Sequence, residues 1–161
     1  MRTIRPGALC AASLTLLAAA MPLAARADTD ACTLLTPAQV HAAVGAPVSD
    51  GKHVTSTYVK TCTWNGAGSS KVRAVTLYLQ TAAAYDGGKR MAQQMAAGAK
   101  GSAVKSAGVG EDAYYFVTGD QVGLLVKKGG VSFKVAIYAT LPVDKKEAME
   151  LTLAKEVLGK L

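Results

Sequence analysis

The chain has 161 residues, half of them hydrophobic, with a formal net charge of +7, two histidines and three cysteines. That length suits one domain able to bury a core without metals or a dense disulfide framework. The basicity is mild, which favours anionic surfaces but excludes a nucleic-acid signature, and the few histidines and cysteines narrow the metal and nucleophile chemistry available.

The first residues read as an export signal. Arg2 and Arg5 supply a positive start, and Ala8 to Met21 is an uncharged apolar run too short to span a bilayer comfortably. Pro22 breaks the run, and Ala25-Arg26-Ala27 is a small-x-small cleavage site. The expected division is therefore a signal over 1–27, cleaved after Ala27, and a single domain over 28–161 with no transmembrane segment. Cys10 lacks the leucine that lipid attachment would need three residues earlier. Cleavage also removes Arg2, Arg5, Arg26 and Cys10, so the charge falls by three and only Cys32 and Cys62 remain. In an oxidising compartment such a pair forms a disulfide, and a loop of about 30 residues closed in this way stabilises a fold by roughly 3–4 kcal/mol. The expected location is periplasmic or secreted.

Thr36-Pro37-Ala38-Gln39 is a helix start with a cap, a proline at the first helical position and a capping-box glutamine. The helix should reach about Val44 and stop at Gly45, with Pro47 beyond. Val48 to Thr55 reads as a polar loop and Thr57 to Trp64 as a strand, with Tyr58, Cys62 and Trp64 on one face. Asn65 to Ser70 is a hairpin turn into a second strand, Lys71 to Gln80. Thr81 to Ala99 is helical by composition, although Gly87-Gly88 should kink or delay it. Gly98 to Gly110 reads as a mobile glycine- and serine-rich connection. Three strands follow, Ala113–Thr118, Gln121–Lys128 and Val131–Tyr138, with turns at Gly119-Asp120 and Gly129-Gly130. After Pro142, Asp144 should cap a last helix, reciprocated by Glu147, with Leu151, Ala154, Val157, Leu158 and Leu161 as its apolar stripe. The order α-β-β-α-β-β-β-α implies a two-layer α+β domain: an antiparallel sheet of about five strands with helices packed on one face.

No catalytic constellation emerges, and no metal or cofactor is expected. His41 and His53 suit surface or capping roles, and no ligand stands at metal spacing with His41. A disulfide removes both thiolates from consideration. Ser102 and Ser106 lack a nucleophile elbow, and Gly108-Val109-Gly110-Glu111 lacks the ending of a phosphate loop. Asp144, Glu147 and Glu150 read as capping and a solvated charged face, and Met91 and Met95 as helix core. Two surface features remain. Lys89, Arg90, Lys100 and Lys105 surround the glycine-rich connection and offer a site for an anionic envelope polymer or lipid head group. Tyr78, Tyr114 and Tyr138 offer an aromatic binding surface on an open sheet face.

Ala31-Cys32-Thr33-Leu34-Leu35-Thr36-Pro37-Ala38-Gln39-Val40, then Gly45, Cys62-Thr63-Trp64 and Val109-Gly110-Glu111-Asp112-Ala113-Tyr114, followed by a late hydrophobic hairpin, resembles the DUF3558-like small exported proteins. Their lipid-attached cysteine is missing here. The resemblance implies the disulfide and an extracytoplasmic place, and no active site. The expected function is a non-enzymatic binding module of the envelope, its partner a protein, polymer or small ligand. A small-ligand carrier with a pocket between sheet and helices is the alternative. A buried carboxylate or histidine with a displaced pKa would instead point to a hydrolase.

Overall fold

A computed structural model describes residues 29–68 and 70–161, so the signal expected over 1–27 lies outside the described residues. Among them, no helix is long and apolar enough to cross a membrane. Asp30 accepts a hydrogen bond from the Cys32 backbone at 2.7 Å and so caps a 3-10 turn at Ala31–Thr33. Helix α1 (Pro37–Val44) starts on the expected capping box: Thr36 Oγ1 accepts from the Gln39 backbone and Gln39 Oε1 from the Thr36 backbone. It ends at Gly45, whose φ of 67° is the left-handed geometry that glycine adopts without penalty.

The strands are β1 (Lys52–His53), β2 (Thr61–Asn65), β3 (Val72–Thr81), β4 (Ser102–Ser106), β5 (Asp112–Thr118), β6 (Gln121–Lys128) and β7 (Val131–Ala139). They form one antiparallel sheet in the order β1-β2-β3-β7-β6-β5-β4. Two meanders, β1 to β3 and β4 to β7, thus meet along β3 and β7. Helix α2 (Ala82–Gly98) connects them and α3 (Val143–Leu158) closes the chain.

The sheet is α+β and antiparallel as expected, but it has seven strands rather than about five. Both additional strands are sheet edges. β1 is only Lys-His, and β4 is Ser-Ala-Val-Lys-Ser within the stretch read as a mobile connection. Short, polar, charged edges are what keep a sheet from pairing further, and for the same reason they carry almost no hydrophobic period. The first long strand starts at Thr61, because Thr57 to Lys60 is turn.

The helices cover both faces, not one. On β5, Ala113, Tyr115 and Val117 join the core under α1 and α3, while Tyr114 packs in a second cluster with Tyr85 and Ala92 of α2. Phe116 and Leu125 lie against that second cluster. The reason is the route of the chain: the face of the sheet bearing Val75, Leu77, Phe133, Val135 and Ile137 is already filled by α1 and α3, so α2 crosses to the far edge over the other. Helix α2 runs unbroken through Gly87-Gly88. Gly88 faces Tyr114, and a Cβ there would make an ordinary contact 3.6 Å from the Tyr114 hydroxyl. Lys127–Asp86 and Lys89–Asp112 ion pairs at 2.9 and 2.6 Å also tie α2 to the strands. At α3, Pro142 occupies the cap position with no side-chain cap, and Glu147 accepts from Lys105 instead of reciprocating Asp144.

The Cys32–Cys62 disulfide forms as expected, with a Cα–Cα separation of 5.0 Å. It joins the 3-10 turn to β2 beside the fully buried Trp64. Gly51 passes directly over this pair: a Cβ there would fall 2.6 Å from Cys62 Sγ and 2.8 Å from Trp64 Nε1. Gly51→Ala therefore overpacks the staple, with an expected loss of about 1–3 kcal/mol. Urea unfolding monitored by Trp64 fluorescence checks this, and an unchanged midpoint would show that the loop yields freely.

Candidate functional site

Because α2 leaves β3 at Thr81 and crosses toward β4, the part of that face built from β2, β3 and β7 stays uncovered. The registers place three rows across it: Thr61–Tyr78–Lys134, Thr63–Thr76–Ala136 and Asn65–Ala74–Tyr138. The middle row is a floor of small side chains, and tyrosines stand at both ends, separated by about 13 Å along the strands. Tyr78 is 37% exposed and Tyr138 42%. Tyr58, on the turn before β2, is also 42% exposed. It hydrogen-bonds the Tyr78 hydroxyl, and that bond, with burial second, raises the Tyr78 pKa. The stem of Lys134 lies over Gly123 of β6.

A groove of about 390 Å³ opens at the Tyr78 end, lined by Tyr58, Gln80, Ala84 and Val131 among others. The Gln80 Nε2 is buried and has no hydrogen-bond partner among the described residues. The sequence pattern places Tyr58 in a strand, whereas it lies just before β2 and meets Tyr78 in space.

The other expected surface residues separate. Tyr114 is not exposed. It lies 2% accessible under α2, its ring 5.3 Å from that of Tyr85, and burial first, then Asp112, pushes its phenol up to about 12. It is core because α2 lies over its face of β5. Lys89 pairs with Asp112 on the α2 side, and its hydrogen bond is the main cause holding the Asp112 carboxyl below the usual range. Lys105 points the other way and pairs with Glu147 of α3 at 2.7 Å. Arg90 and Lys100 are exposed. Lys89 and Lys105 thus point to opposite layers. Met91 and Met95 are exposed rather than core, at 63% and 48%, because the buried side of α2 is set by Tyr85 and Ala92.

A second cluster surrounds the disulfide. His53 Nε2 and Asp30 Oδ1 are 2.7 Å apart, and the hydrogen bond from His53 is the main cause that holds the Asp30 carboxyl low, outweighing burial. His53 also stands directly across from Cys62 in the β1–β2 register. Nothing in the sequence spacing announces this, because Asp30, Cys32, His53 and Cys62 come from three separate elements.

The third group reverses an expectation. Glu150 is not on a solvated face: it and Lys146 are fully buried, on the same stripe of α3 as Leu153, Ala154 and Val157. The Ile137 backbone donates to Glu150 Oε1 at 3.0 Å, just past the last β6–β7 register pair, Gly123 with Ala136. Lys146 donates to the Asp120 carbonyl at the β5–β6 turn. Glu150 Oε2 has no partner among the described residues, and burial, only partly offset by the Ile137 hydrogen bond and nearby lysines, raises its pKa to about 8. The signal was available, as the one-turn spacing of Lys146 and Glu150 falls on the buried stripe.

Comparison of the chain with family models, with curated proteins and with solved structures gives no match.

Glu150 generates a pH prediction. Its pKa is about 8 when folded against an ordinary 4.5, so the folded state keeps a proton that the unfolded chain releases between those values. Stability therefore falls as pH rises through that window. Glu150→Gln, which mimics the protonated form, should flatten the decline and leave the protein more stable than wild type at pH 8. Denaturant midpoints across the pH range test this, and parallel profiles for the two proteins would contradict it.

Proposed function

We propose that the protein is an exported, non-enzymatic binding module of the periplasm or cell exterior, and that it holds another envelope component on the uncovered part of its sheet. The observation that carries this reading is the set of exposed tyrosines, Tyr58 and Tyr78 at one end of the floor and Tyr138 at the other. Aromatic rings left in water beside small polar residues supply contact area at little entropic cost, as recognition surfaces require. Thr61, Thr63, Thr76 and Asn65 add donors and acceptors without charge, which suits an extended polar polymer better than an apolar partner. The disulfide supports an oxidising location.

The groove beside Tyr58 supports a second reading, a carrier of a small ligand. Its size falls within the range of ligand sites, and the Gln80 amide supplies an unsatisfied donor. A hydrolase finds less support. Glu150 has the displaced pKa such an enzyme would need, but it lines neither the groove beside Tyr58 nor a second groove beside Gly45 and Met149.

Cosedimentation of the purified protein with insoluble cell-envelope polymer tests the first reading. Tyr78→Ala combined with Tyr138→Ala should weaken binding by about tenfold or more, the scale of losing paired aromatic anchors. Met91→Ala, which removes an exposed apolar residue on the outer side of α2, should leave it unchanged. Undiminished binding by the double variant would dismiss the tyrosine face. A small molecule released from the native protein on denaturation, with no polymer binding, would favour the carrier.

A further inference from the structure

The cluster at the staple contains more than a disulfide and an ion pair. Asp30, Cys32 and His53 each place one ligand-type atom within 4.8 Å of the others. The Cys62 sulfur is bonded to that of Cys32, and His53 faces Cys62 across the β1–β2 pair. Three donors, one sulfur, an imidazole nitrogen and a carboxylate oxygen, thus already lie together on the 3-10 turn with its cap and on β1, and the Cys62 sulfur on β2, which is outside that group, is one bond away from the Cys32 sulfur. None of these elements depends on the S–S bond alone. The 3-10 turn is also held to the loop before β2 by the Ala31 backbone donating to Val59 at 2.8 Å. Asp30 Oδ1 is fixed by the Cys32 backbone, and β1 is fixed by its ladder to β2.

We propose that reduction of the Cys32–Cys62 bond opens a tetrahedral zinc site made of Cys32 Sγ, Cys62 Sγ, His53 Nε2 and an Asp30 carboxylate oxygen. A dithiol reductant transfers two electrons and two protons to the disulfide and is itself oxidised to a disulfide, leaving two thiols. Zn²⁺ then displaces both thiol protons and takes the place of the proton shared by His53 and Asp30. With Zn–S bonds near 2.3 Å and Zn–N and Zn–O bonds near 2.0 Å, tetrahedral donors stand about 3.3–3.8 Å apart. The His53–Asp30 contact at 2.7 Å must widen slightly and the two sulfurs must part by side-chain rotation, which a Cα–Cα distance of 5.0 Å permits. Two thiolates with one imidazole and one carboxylate form a borderline-soft set suited to zinc rather than to calcium or magnesium. Reduction would thus exchange one cross-link for another at the same point, and the metal would keep the turn on β2.

The test is a titration of the purified chain with Zn²⁺ and with Co²⁺ as its spectroscopic stand-in, oxidised and after reduction, with Trp64 near-ultraviolet dichroism reporting the fold. One metal per chain should bind the reduced protein, with thiolate-to-cobalt charge transfer and tetrahedral visible bands, and none the oxidised protein. His53→Ala should weaken zinc at least about 100-fold, the upper end of what loss of an outer-shell partner alone costs, and Asp30→Asn should weaken it without removing the charge-transfer band. If the reduced chain loses its Trp64 signal, zinc should restore it in wild type and not in His53→Ala. Failure of the reduced protein to bind overturns the proposal. So does equal binding by the oxidised form, undiminished binding by His53→Ala, or metal uptake that leaves Trp64 disordered.

Discussion

The antiparallel seam between β3 and β7 is the constraint on which the molecule depends. It pairs Val72–Thr81 with Val131–Ala139, segments that come together only after α2 and three further strands have been placed. Each half of the sheet alone would leave the long strand β3 or β7 as an unpaired edge. Joined, they present one continuous apolar face, with Val75, Leu77 and Leu79 beside Phe133, Val135 and Ile137, broad enough to bury α1 and α3. The opposite face cannot be covered in the same way, because one helix must serve both as connection and as lid. Helix α2 spans the distance to β4 and leaves the β2-β3-β7 corner open. The candidate surface is thus a consequence of topology as much as of its tyrosines.

What the sequence made legible follows from this division. Long central strands and capped helices announce themselves through period and turn chemistry, so β3, β5, β6, β7 and α1 lie where their residues point. The edges do not. β1 and β4 owe their conformation to the strand beside them, Lys52↔Thr63 and Ser102↔Thr118, and Ser-Ala-Val-Lys-Ser has too little apolar content to show it. The choice of face was equally hidden. Tyr114 and Tyr115 are both apolar enough to be buried, and their alternation shows only that they point to opposite sides. Which side α2 covers is fixed by the filling of the other.

Lys146 and Glu150 show what the end of such a sheet demands. The β6–β7 register stops at Gly123–Ala136, so the backbone groups beyond it face α3 instead of another strand. A buried amide or carbonyl without a partner costs about 1–3 kcal/mol, and α3 answers with one side chain for each: Glu150 for the Ile137 amide and Lys146 for the Asp120 carbonyl. A neutral glutamic acid serves this purpose with less desolvation than a carboxylate. Burial beside Leu153, Ala154 and Val157 therefore accounts for its raised pKa.

The staple and the open face are parts of the same local arrangement. Tyr58 belongs to the short loop between His53 and Cys62, and each end of that loop is held by the cluster at the disulfide. Its backbone is pinned on two sides, by Ala31 donating to the Val59 carbonyl and by Leu79 donating to the Lys60 carbonyl. The first bond ties the loop to the turn that carries Cys32, and the second ties it to the strand that carries Tyr78. The hydroxyl contact between Tyr58 and Tyr78 thus rests on a loop whose position the cross-link helps to set, and freeing that cross-link removes one support while the Leu79 bond remains. A cross-link that could pass from sulfur–sulfur to sulfur–metal without releasing β2 would preserve the tyrosine face under reduction, whereas simple loss of the bond would loosen the end of it nearest the groove.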